Sequence, residues 1–188
     1  ELVGQYVERH PSQSYTLDHL GRKFSAFLKE VDANGEGGFL SELAHLEWAL
    51  CMVAIAPDSP TLLMTDLASV TPDNFVNLRI EPVPALEVMS FQHDVNSYFK
   101  AWSNEETAPP IMVEESHLAV WRHELNVWRM NLPPSAHFFL SRLVEGRRLG
   151  EALDQTIDKY QAEEEDLFDW FQTWVSEGFF SAFRVEAQ

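Results

Sequence analysis

The chain has a single cysteine, Cys51, in 188 residues. No internal disulfide can form, and no cysteine cluster can hold zinc. Cys51 sits in an apolar helical stretch, which predicts a packed thiol. Basic residues are also scarce. There are 13 Lys and Arg against 30 Asp and Glu, a formal net charge of −17. Phosphate backbones are held by clustered cations, so this balance opposes nucleic-acid binding, and it opposes anionic membranes for the same reason. Long apolar runs are missing. The longest, Ala49 to Pro57, falls well short of the roughly 20 residues that span a bilayer and reads as the end of a core helix. No serine or cysteine has the glycine framing of a nucleophile elbow. Neither a GxGxxG nor a P-loop lysine follows Gly35, Gly37 and Gly38, so these glycines predict a connector rather than a phosphate cradle. No signal-peptide pattern is visible, and the expected location is cytoplasmic. The chain starts at Glu1 partway into a helical pattern, from which an upstream segment is expected.

What is present is apolar and aromatic. At 45% hydrophobic and 12% aromatic, the chain can bury a real core as one large or two small domains. Leu2, Val3, Tyr6 and Val7 mark a first helix that His10-Pro11 ends. Tyr15 to Val31 predicts a second, capped by Thr16, with Leu17, Leu20, Phe24, Phe27, Leu28 and Val31 on one face. Asp32 to Gly38 is a loop. Phe39 to Ala56 is a third helix with a wide apolar band, expected to lie centrally. Thr61 to Val70 is ambiguous. Asn77 to Val88, with Pro82 and Pro84, reads as an edge strand or bulged ribbon. Val95 to Trp102 is a short helix, and the polar stretch Ser103 to Pro110 is the expected domain boundary. Leu118 to Arg122 and Val127 to Leu132 form a hairpin, with Asn126 taking a positive φ in its turn. Three helices follow: one entered at Pro133-Pro134 and ended by Gly146, one over Leu149 to Tyr160, and one over Glu163 to Glu177 before Gly178. Phe179 to Val185 closes as a final strand. The expected class is α+β: an N-terminal helical part (1–60), a middle β-ribbon with a connector (61–110), and a C-terminal winged-helix-like hairpin plus three helices (111–188).

Candidate chemistry is thin. Glu42 and His45 have the i, i+3 spacing of di-iron bundles, but the companion pair is absent, so an ordinary helix surface is expected. His117 and His123 share a strand face near Glu114 and Glu115 without a third placed ligand, which predicts a solvated strand rim. The run Glu163-Glu164-Glu165-Asp166 suits the first turn of the last helix, where negative charge meets the helix dipole. The aromatics carry more. Trp121 and Trp128 fall on the hairpin, and Phe168, Trp170, Phe171 and Trp174 on the last helix. Most are expected in the core, but together they also suit a groove for an extended peptide that adds a strand to a free sheet edge. Val127 and Met130 belong to that edge. Arg122 and Arg129 are its few cations, set to meet a ligand's acids or this chain's own.

Two resemblances follow. Residues 127 to 185, with MNLPPSAHFFLSRLVEGRRLGEAL followed by DLFDWFQTWVSEGFF, resemble the winged-helix recognition element of ribosomally made, modified peptide pathways, which holds a leader peptide between its hairpin edge and third helix. Tyr6-Val7-x-x-His10-Pro11, Leu17-x-x-Leu20-Gly21-x-x-Phe24-x-x-Phe27-Leu28 and Leu43-Ala44-x-Leu46-Glu47-Trp48 resemble the bufferin-type and methanobactin-type partner proteins, a family once labelled as DNA-binding. That resemblance implies a non-catalytic subunit with no cofactor of its own. It would present a precursor peptide to a TIM-barrel, multinuclear iron oxidase that modifies the peptide's cysteines. The peptide-binding set would be Trp121, Arg122, Val127, Trp128, Arg129, Met130, Phe168, Trp170, Phe171 and Trp174. The alternatives are a DNA-binding regulator and a stand-alone metalloenzyme. Against the first, the last helix carries Glu163, Glu164, Glu165, Asp166, Asp169 and Glu177 and neither Lys nor Arg.

Overall fold

The computed structural model describes residues 2–12, 19–31, 37–68 and 70–185. It is α+β, with two small antiparallel sheets. The chain divides into two units, Glu1–Cys51 with Ser90–Ser116, and Met52–Met89 with His117–Gln188. This differs from the serial division at 60 and 110. The polar stretch Ser103–Pro110 lies inside the first unit, and the C-terminal residues share their unit with 52–89. Composition marks where a chain is polar, whereas units are set by which distant segments pair.

In the first unit, α1 (Leu2–Arg9) packs on a 3-10 turn (Leu20–Lys23) and α2 (Phe24–Glu30). Tyr6, Phe27, Leu28 and Ala44 are buried together, with Leu20, Phe24 and Val31 packed against them. These are the positions the three-and-four spacing selects. Residues 15–18, with the expected cap Thr16, lie outside the described residues, and the described part of this helix begins as the 3-10 turn. Helix α3 (Gly37–Ile55) starts two residues before the predicted Phe39, so Gly37 and Gly38 are helical rather than loop. Its Glu42 carboxylate accepts the backbone N–H groups of Gln92 and His93 at 2.9 and 3.1 Å and meets His93 Nδ1 at 2.9 Å. Asp94 caps α6 (Val95–Ser103) by accepting the Ser97 N–H at 3.1 Å.

Two expectations about α3 are corrected. Over Gly38–Ile55 its mean hydropathy reaches 1.3, so by length and composition it is apolar enough to cross a membrane. Counting uninterrupted runs missed this, because Glu42 and Glu47 break the run without lowering the mean enough. One face of α3 packs, with Leu46, Ala49 and Val53 buried and Glu42 bonded to β2, while 28% of Gly38–Ile55 is buried in all. Cys51 is exposed rather than packed, because it falls on the outer side of the helix.

In the second unit, α4 (Met64–Leu67) and α5 (Pro72–Phe75) occupy the ambiguous stretch and its sequel. The predicted ribbon over 77–88 resolves into two strands of different sheets. Strand β1 (Leu78–Pro82) pairs antiparallel with β5 (Phe180–Val185), from Leu78↔Val185 to Pro82↔Phe180, with a register shift between Glu81 and Pro82. The shift falls at the proline, which cannot donate to a ladder. Strand β2 (Leu86–His93) instead joins β3 (Val113–His123) and β4 (Asn126–Asn131) in the order β2-β3-β4. The β3–β4 hairpin forms as expected, with Trp121 opposite Trp128 and the pairing running on to His123↔Asn126. Its positive φ values fall on Glu124 (49°) and Leu125 (70°), not on Asn126. A two-residue loop of this hand needs φ > 0 at both central residues, so loop length overrides residue preference.

Helices α7 (Pro134–Val144), α8 (Leu149–Tyr160) and α9 (Glu164–Ser176) lie within a residue or two of their predicted bounds. Gly146 and Gly178 end α7 and α9 at φ of 76° and 77°, a conformation open to glycine without steric cost. Phe139, Leu140, Leu143, Phe171, Trp174, Phe179 and Phe180 are buried together in this unit's core.

Candidate peptide-binding surface

The candidate residues divide by burial. Trp174 is fully buried between the Phe139 ring at 5.5 Å and the Phe179 ring at 6.3 Å, stacked on the latter. Trp121 is buried against Phe179 at 4.8 Å. Phe171 is buried between Phe75 and Phe180. All three are core residues. They can shape the floor beneath a surface but cannot touch a ligand, which corrects their assignment as contacts. Burying such rings is worth roughly 1.5–3 kcal/mol each, and their spacing on α9 serves that burial.

The exposed members are fewer. Trp128 on β4 is 51% exposed, although its cross-strand partner Trp121 lies in the core. Val127, Arg129 and Met130 on the same strand are half-buried. On α9, Phe168 is exposed beside Phe75 at 6.4 Å, and Trp170 is half-buried. The ring contacts among described residues join Phe168 to α5 and leave Trp128 apart from α9. Of the candidate residues, Trp128 on β4 and Phe168 on α9 are exposed, and the buried face of α9 packs into the core.

Arg122 is used internally. Its guanidinium donates to the Ala54 carbonyl at 2.7 Å, to the Val53 carbonyl at 3.4 Å and to Asp58 Oδ1 at 2.7 Å. It closes the C-terminal end of α3, where a cation meets unsatisfied carbonyls and the negative end of the helix dipole. Arg129 keeps its place on the strand. Desolvation lowers its guanidinium pKa from the usual value, yet an arginine remains a cation at any physiological pH.

One part of the site was not singled out in the sequence. An open depression of about 730 Å³ sits at the hairpin turn, lined by Arg122, His123, Leu125, Leu63, Met64 and Asp58, among others. Leu63 and Met64 are exposed, and Leu125 is 89% exposed. The available signal was Leu125 itself, a large apolar residue where turn chemistry favours Asn or Gly.

The histidines scatter. His45 packs edge-on to Phe91 at 5.8 Å, while its spacing partner Glu42 is bound to β2. His117 is buried and stacks on His137 at 4.4 Å, which corrects the expected solvated strand rim at this position. Among the described residues, no group of three or more His, Cys, Asp or Glu is gathered closely enough to hold a metal ion. No protein-family profile matches the chain, and no curated relative is found.

Proposed function

We propose that this chain is a non-catalytic partner subunit that binds an extended precursor peptide along β4 and docks on an iron-dependent oxidase that modifies the peptide's cysteines. The observation that carries the reading is β4. It is the terminal strand of the β2-β3-β4 sheet, and it carries an exposed tryptophan on the face that buries Trp121. A terminal strand is a template for pairing with another chain, and strand addition takes its affinity from main-chain bonds and its selectivity from neighbouring side chains. The β3–β4 hairpin followed by the three helices α7, α8 and α9 supports the likeness to a leader-peptide recognition element. The acidic, cation-free outer turns of α9 favour a polypeptide ligand over nucleic acid.

Calorimetry of the full chain with the precursor peptide, and co-purification with the oxidase, test the proposal. Saturable binding that Trp128→Ala weakens by about tenfold (~1.4 kcal/mol) is expected. Absence of binding to both precursor and oxidase overturns it.

A further inference from the structure

Cations are rare in this chain, yet three of them meet in one place. An open depression of about 390 Å³ in the first unit is lined by Arg9, Arg22 and Lys23 with His10 and His19, and none of its described lining residues is acidic. Its geometry is built. Tyr6 is buried; its hydroxyl donates to the Leu20 carbonyl and accepts the Lys23 backbone N–H at 3.3 Å. These two bonds tie the 3-10 turn that carries Arg22 and Lys23 to α1, which ends at Arg9 just before His10. The Arg9 guanidinium sits over the Phe27 ring at 5.5 Å, and the His10 ring packs on Tyr6 at 5.2 Å. Among the described residues, none of the three cations makes an ion pair with a carboxylate.

The helix dipole accounts for Arg9 at the end of α1. It does not account for five nitrogen-bearing side chains around one depression. Like charges brought together repel, and the arrangement is relieved by an anion that accepts from several donors at once. The volume lies in the range of roughly 300–1,000 Å³ typical of small-ligand sites, larger than a single oxyanion requires. We propose that this depression binds a small, multiply charged anion through phosphate or carboxylate oxygens, with Arg9, Arg22 and Lys23 as the charge-bearing contacts and the His10 and His19 rings as further donors. The proposal is independent of the peptide surface on β4.

The test is calorimetric titration of the full chain with pyrophosphate and, separately, citrate, each matched against sodium chloride at equal ionic strength. Saturable single-site binding is expected. Tighter binding of pyrophosphate assigns phosphate as the ligand chemistry, and tighter binding of citrate assigns carboxylate. The exposed pair Arg22→Gln with Lys23→Gln should weaken binding about tenfold or more with an unchanged circular dichroism spectrum, while Lys29→Gln, outside the depression, should leave it unchanged. The His10 and His19 ring resonances of the unmodified protein should shift with the same titration curve, a reading that needs no variant. Heats that do not saturate beyond the salt control, equal affinity in the paired variant and the parent, or ring shifts confined to other histidines each overturn the proposal.

Discussion

Trp174 and Trp128 are the same residue type in opposite surroundings, and substitution should separate them. Trp174 fills the core between Phe139 and Phe179. Trp174→Ala is expected to destabilise the protein by about 3–5 kcal/mol in chemical denaturation, because a large cavity is left behind. Trp128→Ala removes a half-exposed ring and should move stability by no more than about 0.5 kcal/mol, so that its effect appears in peptide binding alone. The sequence showed that both were aromatic and on regular elements. It could not show which side of a strand would be covered, since that depends on residues more than fifty positions away, such as Phe179. Glu47 gives a second handle. Desolvation raises its carboxyl pKa above the usual value, so the neutral form is the one the fold favours. The stability this group contributes is present below the ordinary glutamate range and is lost as pH rises through the raised value. Glu47→Gln, neutral throughout, should melt higher than the parent at neutral pH, and melting curves across a pH series should converge in acid.

Hairpin β3–β4 shows what was legible among the elements. Its two strands followed from the apolar stretches on either side of a short polar gap. The positive φ was assigned to Asn126 on residue preference, and the loop's length moved it to Glu124 and Leu125. The helices α7 to α9 were legible because Pro134, Gly146 and Gly178 punctuate them locally. The partners of β1 and β2 were not, because pairing Leu78 with Val185 is decided by a shared core and leaves no local mark. The register also yields a test of the edge. The pair His123↔Asn126 closes the two-residue turn and is hydrogen-bonded, so Arg122↔Val127 is a non-hydrogen-bonded pair, with the Val127 N–H directed away from β3. Val127→Pro should therefore keep the β3–β4 ladder, as judged by its amide exchange protection, while weakening strand addition by a peptide. Loss of the hairpin itself would show that the outward N–H assignment is wrong.

At the scale of the whole molecule, a net charge of −17 repels itself. Added salt screens exposed charges over a Debye length of about 10 Å at 0.1 M, so the melting temperature should rise between low and moderate sodium chloride. A melting temperature that falls with salt would mean that favourable ion pairs outweigh the repulsion. Finally, α3, β2 and β3 each pass from one compact unit into the other along the chain. The stretch from 111 to 188 cannot be lifted out as a self-sufficient cassette, since it leaves behind β1, the mate of β5, and β2, the neighbour of β3. Any excision at the polar stretch after α6 would expose two orphaned strands, so transfer of the β4 surface onto another host must carry both β1 and the whole of β2, through His93, with it.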